Sequence, residues 1–160
     1  GGGDWSEDRL LPDILRSIDL DEKIIIRSPS SIRPWQHVLE PVTGYLLLAE
    51  RLVEEKNKFN SAWNFGPEEN DCWPVSRVAS KVCEIIEHAD WIAPDTQQPH
   101  EAGFLKLDSS KAKMRLGWSP RWHVDMALQK TVEWHQNFRL EKDMYEYTVD
   151  QILSYQKDII

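Results

Sequence analysis

The apolar residues of this 160-residue chain fall into long stretches with helical spacing and short β-branched runs, and that division constrains the fold more than any other feature. Residues 39–55 carry Val42, Tyr45, Leu46, Ala49, Leu52 and Val53 at intervals of three and four, which predicts a long amphipathic helix. Pro74 opens a second helix with Val75, Val78, Ala79, Val82, Cys83 and Ile86 on one face. Residues 124–139 and 143–157 read as two more. Asp8 is positioned to cap a helix through Leu15 and Ile18 to about Asp19, with Pro12 in the first turn, where a proline is tolerated. Ser109 is expected to cap a short helix that stops at Gly117, in the left-handed position past a C-cap. Residues 23–27 and 31–38 read as a short strand pair, and 62–65, 90–93 and 104–107 as further strands. Alternating units of this kind indicate an α/β fold. A doubly wound sheet needs several adjacent parallel strands, however, and these are too few, so the sheet is expected to be incomplete.

The net charge of -8 argues against a nucleic-acid surface, which needs clustered Lys and Arg to displace counterions. No run approaches the roughly 20 apolar residues of a membrane helix, and Gly1-Gly2-Gly3-Asp4-Trp5 has neither the basic nor the apolar region of a signal peptide. The chain reads as cytoplasmic, with no membrane and no nucleic-acid partner. Cys72 and Cys83 lie outside any CxxC spacing, and His37, His88, His100, His123 and His135 form no paired-ligand pattern, so no metal is expected. There is no internal repeat or low-complexity stretch, so residues 1–160 read as one domain. The chain does not begin with Met, and its first residue reads as an internal point of a longer protein or the scar of an expression vector.

A hydride-transfer enzyme needs a glycine-rich turn such as GxGxxG between a strand and a helix, where a pyrophosphate can approach the helix N-terminus. None is present, nor is a GxSxG elbow or a Walker loop. No catalytic residues are therefore expected in this chain. The sharpest constellation is Ser31-Ile32-Arg33-Pro34-Trp35-Gln36-His37-Val38, leading into the long helix. An arginine at a strand end, beside a rigid proline and an aromatic, can set a planar guanidinium against a diphosphate. Read blandly, Arg33 is a surface residue and Trp35 belongs to the core.

Arg9-Leu10-Leu11-Pro12-Asp13, residues 33–38, Leu105-Lys106-Leu107-Asp108-Ser109-Ser110-Lys111-Ala112 and Leu116-Gly117-Trp118-Ser119-Pro120 occur in a fixed order. Together they resemble the C-terminal half of the extended short-chain dehydrogenase/reductase family, the NAD-dependent nucleotide-sugar epimerases and dehydratases. The resemblance covers nearly the whole chain. Residues 1–10, residues 33–41 and Pro99-His100-Glu101-Ala102 look most like the branch that acts on CDP-glucose. The fold implied is the C-terminal substrate-binding part of a Rossmann-type enzyme, mostly helices with a few short strands. Its N-terminal NAD-binding Rossmann domain, with the Tyr-xxx-Lys pair, is expected to lie outside this chain.

The resemblance implies that Arg33 contacts the diphosphate with Asn64 near it, that Arg9, Leu10 and Leu11 line the substrate cleft, and that His100 and Glu101 sit near the nucleotide. Each has a structural alternative: Asn64 as a holder of strand backbone, Leu10 and Leu11 as core, His100 as a loop residue. Gln97 and Gln98 stand where many relatives carry a phosphate-binding arginine. Either neutral donors serve there or the contact comes from elsewhere. For the whole enzyme the resemblance implies a homo-oligomeric lyase: NAD takes a hydride from the sugar C4, water leaves across C5 and C6, and the hydride returns to C6. This chain's share is binding and orientation of the nucleotide sugar, and alone it is expected to be inactive. The strand at 62–65 is expected to extend the Rossmann sheet. Two other readings stay open: an epimerase or dehydratase of a different nucleotide sugar, and a stand-alone binding or scaffold domain.

Overall fold

Helices carry most of the structure. The computed structural model describes residues 1–87, 89–94 and 103–158. In chain order these form α1 (Leu10–Asp19), β1 (Ile24–Ile25), β2 (Ile32–Pro34), α2 (Leu39–Glu54), α3 (Lys56–Phe59), β3 (Cys72–Pro74), α4 (Val75–Ile86), β4 (Trp91–Ile92), α5 (Ser110–Leu116), α6 (Val124–Arg139) and α7 (Met144–Lys157). The longer helices fall close to where the sequence spacing puts them. Val78, Ala79, Val82 and Cys83 form the buried face of α4. Gly117, at φ 67°, ends α5 in the left-handed region that favours glycine, and the Asp143 carboxylate caps α7 by accepting from the Tyr145 and Glu146 amides.

Two caps differ from expectation. Asp8 does not cap α1: its own backbone is left-handed, at φ 59°, and its carboxylate pairs with Arg27 at 2.7 Å, so Arg9 takes the N-cap position without a side-chain bond. Ser109 does occupy the N-cap of α5, but its hydroxyl donates to the Gly66 carbonyl at 3.3 Å. Asp108 supplies the cap instead, accepting from the Ser110 amide at 2.9 Å.

The expected strand pair is also corrected. β1 pairs in parallel with β4, and β2 pairs antiparallel with β3. The two part company because residues 28–31 are bound to the start of α4: the Val75 amide donates to the Ser31 carbonyl at 2.9 Å and the Ser76 amide to the Pro29 carbonyl at 2.8 Å. Those are donors that a helix N-terminus leaves without intrahelical partners. β3 escaped the sequence reading because three residues ending in proline carry no alternation. Residues 62–65 form no strand. In place of a ladder, the Gln36 side-chain amide donates to the Phe65 carbonyl at 2.9 Å and the Asn64 amide to the Asp108 carbonyl at 3.4 Å. Of 104–107, only Phe104 forms a bridge, in parallel, to Ile32.

Among the described residues, two apolar clusters make the core. Ile14 and Leu15 of α1, Ile24 and Ile26, Trp73, the buried face of α4 and Val124, Leu128 and Val132 of α6 form the larger. Phe59, Phe65, Ala112, Leu116 and Trp118 form the second, against Leu47, Leu48 and Leu52 of α2. Gly44 permits this second contact, since a side chain there would collide with the Phe65 ring. The opposite face of α2 is unexpectedly open: Val42, Tyr45, Leu46 and Val53, read from sequence as the amphipathic stripe, are all exposed. α2 thus buries one apolar side and presents another.

Glu40, fully buried near the start of α2, ties these parts together. Its carboxylate accepts from the Trp122 amide at 2.8 Å, the Arg121 amide at 3.0 Å and the Tyr155 hydroxyl at 2.6 Å. Its backbone carbonyl accepts from the Trp118 indole at 3.2 Å. One carboxylate therefore joins α2 to the segment before α6 and to the end of α7. Burial, followed by the hydrogen bond to Glu40, raises the Tyr155 pKa.

Candidate functional site

A cavity of about 210 Å³ lies between α1 and the residues of β1 and β2. Its apolar side is made by Leu10, Ile14, Ile24, Ile26, Trp35 and Val75. Asp8, Asp13, Ser17, Arg27, Ser28 and Arg33 supply its polar groups. The walls are held from behind. The Trp35 indole donates to the Trp73 carbonyl at 2.9 Å, Ile14, Ile24 and Ile26 belong to the larger core, and the Arg33 guanidinium donates to the Ile32 carbonyl at 2.9 Å. Asp13 accepts from Arg16 at 2.8 Å, and Asp8 with Arg27 forms an exposed ion pair at the cavity. An apolar floor with a few fixed polar groups is the make-up of a small-molecule site. At this size it holds one end of a ligand, since sites for whole ligands run to about 300–1,000 Å³. A larger hollow, about 390 Å³, surrounds Cys72, but its cations are already matched: Lys113 with Glu68 at 2.7 Å and Lys106 with Glu69.

The structure brings together Leu10 and Arg33 of the residues singled out from sequence. Leu11 faces another way, into a small hollow with Gly1, Trp5, Thr131 and His135, because consecutive residues on a helix diverge by about 100°. Arg9 is exposed at the N-cap of α1 and does not line the cavity. Asn64 is exposed on the far segment and is engaged with Asp108. His100 and Glu101 lie outside the described residues. Sequence reasoning missed Asp13 and Ser17, although their spacing of four on a predicted helix places them on one face. It also missed Arg27, whose run was read only as strand.

Among the described residues, His37 and His123, both outside the cavity, carry shifted pKa values with opposite consequences. Burial, helped by nearby positive charge including Lys130, lowers the His37 pKa to about 3. The His123 pKa is raised, by its 2.9 Å hydrogen bond to the Asp71 carboxylate and by that charge. Asp71 also accepts from the Val124 amide at 3.1 Å, so it anchors the start of α6. His37, depressed in the fold, gives stability that is complete above its unfolded value near 6.5 and is lost as pH falls toward about 3. His123, raised in the fold, gives stability that is complete below its unfolded value and is lost as pH rises through the elevated one. Thermal unfolding followed across pH should therefore decline on both sides. His123→Ala should flatten only the alkaline decline, and an unchanged alkaline limb in that variant would remove His123 from the account.

No protein-family model matches the sequence. Over 156 residues, 97% of this chain, it is 47% identical to a CDP-glucose 4,6-dehydratase of Salmonella typhimurium. That match is to an extended short-chain dehydrogenase/reductase, the family that the sequence motifs resemble. This chain spans 44% of the length of that curated relative. Solved structures share the fold. A UDP-glucuronic acid 4-epimerase of Bacillus cereus, in complex with UDP-4-deoxy-4-fluoro-glucuronic acid and NAD, superposes with a TM-score of 0.70 at 18% identity, over 86% of this chain and 42% of that one. A dTDP-glucose 4,6-dehydratase of Bacillus anthracis, in complex with NAD, gives 0.64 at 15% identity, over 86% and 42%.

The described residues supply no cradle for NAD. Holding it requires a glycine-rich turn between a strand and a helix N-terminus. Gly44 lies inside α2, Gly117 follows α5, and Gly66 is packed against Leu107. Gly1, Gly2 and Gly3 precede a segment without regular structure, with Gly2 pressed on Trp134. Among the described residues, no helix is long and apolar enough to cross a membrane.

Proposed function

We propose that this chain is the nucleotide-sugar-binding part of an NAD-dependent CDP-glucose 4,6-dehydratase, with NAD held by residues outside it. The observation that carries the reading is the identity to a CDP-glucose 4,6-dehydratase along almost all of the chain. The cavity supports it, because it sets the family's expected diphosphate anchor, Arg33, beside an apolar floor of the right kind for one end of a nucleotide sugar. The division of labour follows: the redox chemistry belongs to the cofactor, and these residues fix where the substrate lies relative to it.

In the full-length enzyme Arg33→Ala is expected to raise the Michaelis constant for CDP-glucose by roughly 10- to 100-fold, since a charge-assisted contact contributes about 1.5–3 kcal/mol. Arg33→Lys should recover only part of this, because an ammonium lacks the two-pronged fork of the guanidinium. Steady-state kinetics of the three proteins provide the check. An alanine variant with unchanged Michaelis constant and full activity would reduce Arg33 to a surface residue.

A further inference from the structure

The polar groups of the cavity are arranged in an order that the proposed activity does not by itself require. Asp13 and Ser17, four residues apart on α1, stand one above the other on the same helix face, and both line the cavity. An ionised carboxylate only accepts hydrogen bonds, whereas a hydroxyl can donate or accept. Asp13 accepts from Arg16 through Oδ1 at 2.8 Å, and Arg16 also donates to the Trp5 carbonyl at 3.0 Å through its other nitrogen. The cavity is also lined by Ile14, Ile24, Ile26 and Val75, apolar side chains that suit the face of a flat heterocycle better than the hydroxyls of a hexose.

The geometry points to Asp13, assisted by Ser17, as the group that selects the base of the nucleotide sugar, favouring cytosine over uracil. The inference rests on the proposed function, in which Arg33 holds the diphosphate and the hexose must reach an NAD that these residues do not bind. The hexose therefore leaves the cavity, and the base remains in it. Cytosine presents an exocyclic amine beside a ring nitrogen acceptor; the amine donates to Asp13 and the Ser17 hydroxyl donates to the ring nitrogen. Uracil presents a carbonyl oxygen where cytosine has its amine. Ser17 adapts by turning its hydroxyl, but Asp13 then faces an acceptor with an acceptor and gains no bond.

The test is titration of the full-length enzyme with CDP and with UDP. The wild type is expected to bind CDP more tightly. Asp13→Asn, whose amide can turn a donor toward the uracil oxygen, should reduce the ratio of the two affinities by roughly tenfold or more. Asp13→Ala should weaken CDP without weakening UDP. Arg16→Ala, which leaves the carboxylate in place, should keep the wild-type preference. If both Asp13 variants unfold like the wild type and keep its full preference, the assignment of Asp13 is overturned while the proposed function stands. A matching loss in Arg16→Ala also overturns it, since Asp13 then acts only by holding the helix. A wild type that binds neither nucleotide sinks the proposed function, and this inference with it.

Discussion

Glu40→Ala is expected to lower the unfolding free energy by about 3–5 kcal/mol, because three donors, two of them buried, would lose their acceptor at once and each unsatisfied buried group costs about 1–3 kcal/mol. Those donors are the Arg121 and Trp122 amides and the Tyr155 hydroxyl, at 3.0, 2.8 and 2.6 Å. The truncation also opens a void in a fully buried position. Glu40→Gln should be milder than alanine: its single oxygen still accepts, while its amide nitrogen turns a donor toward a donor. Tyr155→Phe removes one donor together with its need for a partner and should cost only about 1–2 kcal/mol. Urea unfolding of the three variants orders them. A Glu40→Ala protein within 1 kcal/mol of the wild type, or less affected than Tyr155→Phe, would show that water replaces the carboxylate at little cost.

The second large effect is on catalysis. The isolated 160-residue chain, supplied with CDP-glucose and NAD, is expected to form no 4-keto-6-deoxy sugar. The first step needs an oxidant held against the sugar, and none of the described glycines makes the strand-to-helix turn that would cradle a dinucleotide. The cavity's polar groups are two arginines, two aspartates and two serines, which bind and orient but accept no hydride. Incubation with substrate and cofactor, followed by chromatography for the keto sugar, provides the measurement. Product above a buffer blank would place catalytic machinery within these residues and overturn the assignment of NAD to residues outside the chain.

Helices were legible in the sequence because each amphipathic period is a local signal, and α4, α6 and α7 fall where their spacing puts them. Strand partners were not, because pairing depends on which distant segment arrives. The runs at 23–27 and 31–38 looked adjacent, yet the turn between them is held by α4 and each strand pairs elsewhere. The block from Arg33 to Pro41 shows the same divide within the site. Its family pattern pointed to Arg33, which lines the cavity. Most of its neighbours serve the fold: Trp35 holds Trp73, Gln36 holds Phe65, His37 is buried against Trp122 and Glu40 joins three segments. Asp13 was quoted in a motif but given no role, because a carboxylate in a helix's first turn already has an electrostatic reason to be there.

The partners of Glu40 also bear on when the protein can finish folding during its synthesis. Tyr155 lies 115 residues downstream of Glu40, and Arg121 and Trp122 more than 80. While a ribosome is still making α6, α2 has already emerged with its buried acid unmatched. Two of its three donors come with the segment before α6 and the third only with the end of α7, so the burial of Glu40 is completed in stages as these residues leave the exit tunnel. A nascent chain stalled before Tyr155 should accordingly be cut by protease near the start of α2, and one released beyond it should resist.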